Sequence, residues 1–287
     1  MTDLISTTLC EDLLAVFDDP GYRPPALPEV ALELMSLASK QETDVAEVVA
    51  LLERDEMLAA TVLRLVGSTI YAGRTPIRSL REAVVRLGVQ GVRDAVFEAA
   101  LARGVFAMPE YGDTMATVAR HSTMTAYITR IVCRRAVIDA DLAFMCGLLH
   151  DVGFAGLLLA VTHIEGNAVP PLSMLWKYVD ALHERSSLML TQRWGLPPLV
   201  VEVVGHHHHL HTGACSTLAS AVRLADHLTQ HFGATVMGPL AEGTPLPGDL
   251  VEAFDVETAC AELNIDAAAL KLIVADAERT VPEIVLL

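Results

Sequence analysis

Apolar residues recur at three- and four-residue spacing along nearly the whole chain, which is the pattern of amphipathic helices. Val30, Leu34 and Leu37 form one such stripe, just after Pro28, at a helix start where the missing N–H does no harm. Ser79 followed by Glu82 has the spacing of a capping box, which marks another helix start. We therefore predict an all-α protein without a significant sheet.

The same pattern predicts how the helices follow one another. In the second part of the chain we expect helices over residues 113–133, 141–150, 171–193, 198–206 and 217–232. Residues 107–112 look like a boundary, 236–249 like a loop, and a short helical tail should follow Glu252. Gly88 closes one helix and Gly91 begins the next, which could suggest a helix-turn-helix. Because the second helix lacks clustered Arg or Lys, a plain helical hairpin is the better interpretation.

Charge and composition narrow the function classes. Acidic residues number 36 against 20 basic ones, which gives a net charge of −16 and disfavours a nucleic-acid partner. The largest local basic excess, Arg130, Arg134 and Arg135, is interpreted as a solvated helix face. Aromatic residues are only 5% of the chain, and its Ala-, Val- and Leu-rich composition suits packed helices.

The sequence predicts a cytoplasmic protein without a membrane span. Its five cysteines are scattered and odd in number, which favours a reducing compartment, and its first residues lack the features of a signal peptide. The apolar stretch from Leu142 to Thr162 raises the question of a membrane helix. Because His150 and Asp151 lie at its centre, we interpret it as a buried helix that ends in a turn.

The candidate chemistry lies in the eleven histidines. An adjacent His150–Asp151 pair stands at a predicted helix end, and further histidines and an aspartate fall on other predicted helices or helix ends: His121, His183, the run His206–His209 and Asp226. Imidazole and carboxylate together suit Zn, Fe, Mn or Ni. Considered one at a time, these residues have simpler explanations: His206–His209 could be a polar loop, and Asp226 could be a solvated residue on the surface of its helix. Helices packed in a bundle can nevertheless aim such side chains into one interior site.

In order and type, these residues resemble the ligand series of the HD superfamily of metal-dependent phosphohydrolases, in its HD-GYP form. The front of the chain resembles the HDOD branch (HD-related output domain) in its Leu27-Pro28, Arg54-Asp55, Gly67-Ser68, Tyr71, Ile77–Ala83 and Arg86-Leu87-Gly88 motifs, followed later by His183-Glu184 and Trp194-Gly195-Leu196-Pro197. The resemblance implies an HD-domain-like helical bundle with an additional N-terminal helical half. We accordingly expect an N-terminal helix over 1–21, an HDOD domain over 22–230 with halves at 22–108 and 113–230, and a loop and helical tail over 231–287.

The resemblance also implies roles for the site residues. His150 and Asp151 would bind metal, with Asp151 bridging two ions and acting as the catalytic residue if the protein is an enzyme. His121 and Asp226 would complete the shell of one ion, and His183, His207 and His208 would hold the second. The register within His206–His209 stays open by one position. The expected cofactors are one or two divalent ions of Fe, Mn, Ni or Zn.

Two departures from the HD-GYP pattern weaken the expectation of catalysis. Phe154 stands where the family has a substrate-facing lysine, and the residues after His208 lack the Glu and the Gly-Tyr-Pro loop. The leading hypothesis is a bacterial signal-transduction output protein with a metal site, which acts on a signalling protein partner or a nucleotide ligand and could form a homodimer. The alternatives are a metal-dependent phosphohydrolase of nucleotides or cyclic dinucleotides, and a purely structural helical protein that binds no metal.

Overall fold

A computed structural model describes residues 11–40, 42–68, 76–138, 141–164, 170–208, 216–236 and 254–284. These residues form helices, turns and loops, and no strand occurs among them. The prediction of an all-helical protein is therefore confirmed. In chain order the α-helices are α1 Glu29–Ala38, α2 Val45–Leu52, α3 Glu56–Val66, α4 Leu80–Ala100, α5 Gly112–Ala136, α6 Ala143–Leu149, α7 Gly153–Ile164, α8 Leu172–Arg193, α9 Pro198–Val204, α10 Ser216–His231, α11 Phe254–Glu262 and α12 Ala267–Thr280.

The front helices α1, α2 and α3 all pack against the long helix α4. Side chains cap the starts of α3 and α4: Asp55 accepts a hydrogen bond from the Leu58 N–H at 2.8 Å, and Ser79 accepts one from the Glu82 N–H at 3.1 Å. Gly88 breaks the helical path of α4 with a φ of 70°, a conformation that favours glycine. Leu80–Ala100 therefore consists of two helical segments that meet at Gly88, in agreement with the predicted end of one helix there and the start of another just after it.

The second half is organised around α5, which packs against both α6 and α10, while α7 packs against α8. The apolar stretch predicted as one buried helix ending in a turn is instead two helices, α6 and α7, separated by His150, Asp151 and Val152. The prediction of a turn at the His-Asp pair was right, but the helix after it was missed. This second helix, α7, can begin directly after the turn because Gly153 packs closely on α8, so the chain returns to the core at once.

A membrane-length apolar segment is present but lies inside the protein. Residues Ala143–Ile164 are long and apolar enough to cross a membrane, yet 94% of the most apolar window is buried within the fold. The short helical tail expected after Glu252 is in fact two helices, of which α11 packs on α10 and α12 on α5. Tyr71, Cys10, Cys215 and most of the predicted 236–249 loop lie outside the described residues.

A buried ionic network joins α4 of the front half to the second half. Arg93, only 1% exposed, contacts Asp94 at 2.8 Å and donates to Asp141 between α5 and α6. Arg130 of α5 pairs with the same Asp94 at 2.8 Å. The interpretation of Arg130, Arg134 and Arg135 as a solvated face was therefore wrong for Arg130. Sequence could not reveal its partner, which lies 36 residues away.

Candidate metal centre

The His150–Asp151 turn is held by hydrogen bonds between α7 and α8. The hydroxyl of Ser187 donates to the His150 carbonyl at 2.9 Å and accepts from the Gly153 N–H at 2.8 Å. The hydroxyl of Ser186 donates to the Gly153 carbonyl at 3.0 Å. All of these groups are buried, so the turn is fixed against α8, the helix that carries His183.

One cluster of ligand atoms faces Oδ2 of Asp151. His121 Nε2 lies 3.4 Å and His150 Nε2 3.3 Å from this oxygen. The two imidazole nitrogens are 3.1 Å apart, and His121 Nε2 is also 3.0 Å from Oδ1 of Asp226. We call this group, His121, His150 and Asp226, the first lobe. All its residues are buried.

A second cluster faces the other oxygen of the same carboxylate. His183 Nε2 and His207 Nε2 each lie 3.5 Å from Asp151 Oδ1 and 3.3 Å from one another. His208 Nε2 approaches His183 Nε2 to 3.1 Å at the exposed edge of the cluster. We call this group, His183, His207 and His208, the second lobe. Asp151 therefore presents one oxygen to each lobe.

Hydrogen bonds to backbone carbonyls orient the imidazoles of both lobes. The Nδ1 of His121 lies 2.7 Å from the Ala234 carbonyl, that of His150 2.8 Å from the Gly147 carbonyl, and that of His207 2.9 Å from the Val204 carbonyl. His183 makes the same kind of bond to Asp180. A carbonyl can only accept, so each of these Nδ1 atoms carries a proton. The Nε2 atom of each ring faces inward and is available as a ligand whenever the ring is neutral.

The electrostatics of the centre favour positive charge between the rings. Burial opposes charge on His121, but the hydrogen bond and charge of Asp226, aided by Asp151, raise the pKa of His121 to about 9. Burial also opposes charge on Asp151, yet the nearby charges and hydrogen bonds of His150 and His207 hold the pKa of Asp151 well below its usual range. The pKa of His208 falls to about 4 through burial and the neighbouring His207.

This donor set fits a pair of transition-metal ions. When these rings are neutral with Nδ1 protonated, the Nε2 lone pairs of His121 and His150 face each other at 3.1 Å and those of His183 and His207 at 3.3 Å, an arrangement that a metal ion between them makes favourable. Each lobe offers three ligand groups, and Asp151 supplies one more oxygen to each. Mixed nitrogen and oxygen ligands with second-sphere carbonyl partners are typical of Zn, Mn, Fe and Ni sites.

The structure brings together every residue that the sequence nominated as a ligand. Within the histidine run, His207 and His208 lie in the second lobe, whereas His206 is exposed and its Nδ1 bonds to the Glu202 carbonyl, outside both lobes. Asp226 is buried against His121, not solvated. Sequence reasoning did not find the ring stack next to the second lobe, in which Phe154 lies parallel to His183 at 4.8 Å and to Trp176 at 5.4 Å.

Known proteins show the same architecture. A family model described as HDOD domain matches residues 25–210. An uncharacterized protein of Treponema pallidum is 25% identical over 196 residues, which is 65% of this chain but only 38% of that protein, so the chain spans less than half of its relative.

Two solved structures share the fold. A candidate metal-dependent phosphohydrolase from Shewanella amazonensis has a TM-score of 0.68 at 17% identity, covering 92% of this chain and 98% of that one. A candidate signal transduction protein from Marinobacter aquaeolei has a TM-score of 0.66 at 19% identity, covering 95% of this chain and 63% of that one.

Proposed function

The chain belongs to the HDOD family, and from this premise we propose that it is a signal-transduction output protein built around a dinuclear transition-metal centre. The observation that carries the proposal is the Asp151 carboxylate, whose two oxygens face two separate imidazole clusters. A solved structure of the same fold described as a candidate signal transduction protein supports the regulatory role. The partner would be a signalling protein or a small nucleotide ligand.

In this proposal the first lobe and Asp151 would hold one ion, and the second lobe and Asp151 the other. Two such ions, when bound, supply Lewis acidity and a water of lowered pKa. The chain's own residues contribute orientation. The backbone carbonyls of Gly147 and Val204 keep the Nδ1 protons of His150 and His207 in place, so both Nε2 atoms stay available as ligands.

Bound ions would also serve as structural links. His121 is on α5, Asp226 on α10 and His183 on α8, so one centre ties three helices that are distant in sequence. Metal binding to the folded chain stabilises it by an amount that grows with the logarithm of the free ion concentration divided by the dissociation constant. A change in occupancy would thus alter the stability of the bundle and the surface that it presents to a partner.

A metal-dependent phosphohydrolase is the second candidate, and the completeness of the ligand set favours it. A cavity of about 210 Å³ opens onto Asp151, Asp226 and His183, so a small ligand could reach the centre. Against it stands the lack of a protein cation: no Lys or Arg lines this cavity among the described residues. Arg120 and Arg185, which could have replaced the family lysine, are exposed and do not line it. Loss of one such contact costs several kcal/mol of transition-state stabilisation.

Turnover separates the two candidates. Protein loaded with Mn, Fe or Ni should be assayed against cyclic di-GMP and a general chromogenic phosphodiester, beside Asp151→Ala. We expect metal to be retained with little or no turnover of either substrate. Robust hydrolysis that the substitution abolishes would instead identify the protein as an enzyme.

A further inference from the structure

The cavity above the metal centre has a chemically distinct outer part. We define the mouth as Phe154, Trp176, Asp180 and Gln230, all of which line the same cavity of about 210 Å³. Phe154 is buried between parallel rings, whereas Trp176 is only partly buried. The mouth therefore combines an aromatic wall with polar groups, next to His183 of the second lobe.

Hydrogen-bond acceptors dominate the polar groups of the mouth. Asp180 uses its backbone carbonyl to orient His183, but its exposed carboxylate has no hydrogen-bond or ion-pair partner among the described residues. Gln230 donates its amide N–H to Asp226 at 3.0 Å. That bond leaves the carbonyl oxygen of the Gln230 side chain as an acceptor.

Among the residues that the structure describes, no Lys or Arg lines the mouth. The nearest cation in sequence, Lys177, lies over the ring of Tyr178 with its ammonium 4.7 Å from the ring centre and does not line the cavity. An anionic ligand group would find attraction only at bound metals. An acidic and aromatic mouth instead attracts a cation, since Trp is the strongest cation–π partner.

Size restricts the ligand further. Pockets for drug-sized ligands usually measure about 300–1,000 Å³. A cavity of about 210 Å³ is too small to enclose a cyclic dinucleotide but has room for a small phosphate ester.

We propose that the mouth is a subsite for the positively charged amine end of a small phosphorylated amine, whose phosphate end lies toward the metal lobes. The proposal rests on the dinuclear centre proposed above and names the class of ligand that this centre binds. Trp176 would face the ammonium group and Asp180 would balance its charge. The ligand class is a phosphate joined by a short linker to a protonated or quaternary amine.

The test compares two probes that differ in one atom. Phosphocholine and its uncharged carbon isostere, 3,3-dimethylbutyl phosphate, have nearly the same shape, so their affinity ratio isolates the contribution of the cation. Binding to metal-loaded, full-length protein should be measured by isothermal titration calorimetry. We expect phosphocholine to bind about tenfold more tightly, equivalent to about 1.4 kcal/mol.

Single substitutions test whether Trp176 and Asp180 cause the difference in affinity between the two probes. Asp180→Asn and Trp176→Ala should each bring the affinity ratio close to one, while Asp113→Asn, an exposed carboxylate that does not line the cavity, should leave it unchanged. Equal binding of the two probes by wild-type protein, no binding of either, or an unchanged ratio in Asp180→Asn would overturn the subsite. The metal content of the same samples separates the two failures. Protein that holds metal without discriminating between the probes contradicts only the subsite, whereas protein without metal contradicts the proposed function as well.

Discussion

Gly153 provides a sharp test of how the fold builds the metal centre. A Cβ at this position would lie 2.0 Å from the His183 carbonyl oxygen, 2.6 Å from the Ser187 backbone nitrogen and 2.7 Å from its hydroxyl. Ordinary contact begins near 3.4 Å, so Gly153→Ala must push the backbone of α7 from that of α8 by more than 1 Å. His183 lies on α8, so a wider separation of α7 from α8 also changes the distance between His183 and Asp151.

The loss of stability in Gly153→Ala can be estimated from these contacts. Overpacking of a well-packed core costs about 1–3 kcal/mol, and here the obstacle is backbone, which cannot rotate away. Weakening of the hydrogen bond from the Gly153 N–H to Ser187 adds about 1 kcal/mol. We therefore expect Gly153→Ala to lower the free energy of unfolding by about 2–4 kcal/mol and to reduce metal bound at the second lobe.

Urea unfolding of the metal-free protein, followed by circular dichroism, measures the first effect, and metal analysis of the loaded protein the second. Gly112→Ala is the matched control: its φ is −51°, and a Cβ there would meet nothing within 4 Å. It should be neutral or up to about 1 kcal/mol more stable, since alanine favours the helix. If Gly153→Ala were as stable as the wild type and kept full metal capacity, the close packing of α7 on α8 would not be what positions His183.

Three further predictions concern other parts of the chain. Burial raises the pKa of Glu98 to about 8 from an ordinary 4.5, so the free energy of unfolding of the wild type should fall between pH 4.5 and pH 8 by up to about 1.4 kcal/mol per pH unit. In urea titrations, the stability of Glu98→Gln relative to the wild type should therefore increase over this pH range. The same pH dependence in both proteins would refute this. Asp55→Ala removes the cap of α3 and should lower the free energy of unfolding by about 1 kcal/mol in urea titrations, and no change would contradict the capping role. His207→Ala should reduce bound metal in elemental analysis while His206→Ala should not, and the reverse result would place the register one residue earlier.

Helical periodicity and capping residues were sufficient to predict most of the fold. Ser79 caps α4 as its spacing to Glu82 predicted, and Pro28 immediately precedes a helix start. The missed helix α7 had no such local signal: it begins at Gly153, directly after a three-residue turn inside one apolar run. What allows that turn is contact with α8, more than 30 residues away.

The candidate site, like the fold, was predictable from the sequence only in part. The order of histidines and aspartates was enough to nominate the seven residues of the two lobes and Asp151, because their types and spacing resemble a known ligand series. The choice of His207 and His208 over His206 required the geometry of the helix end after Val204. The stack of Trp176 on Phe154 was not predictable, since aromatic residues 22 positions apart on different helices have no shared sequence signal.

In the proposed centre, Asp151 joins two metal ions. The transition-metal content per chain, measured by inductively coupled plasma mass spectrometry on protein purified without a histidine tag, tests this most directly. We expect about two ions per wild-type chain and a loss of both lobes' metal in Asp151→Ala, because each lobe would lose its shared carboxylate ligand. Wild-type protein free of metal after loading with Mn, Fe, Ni or Zn, or an Asp151→Ala variant with undiminished metal, would contradict it.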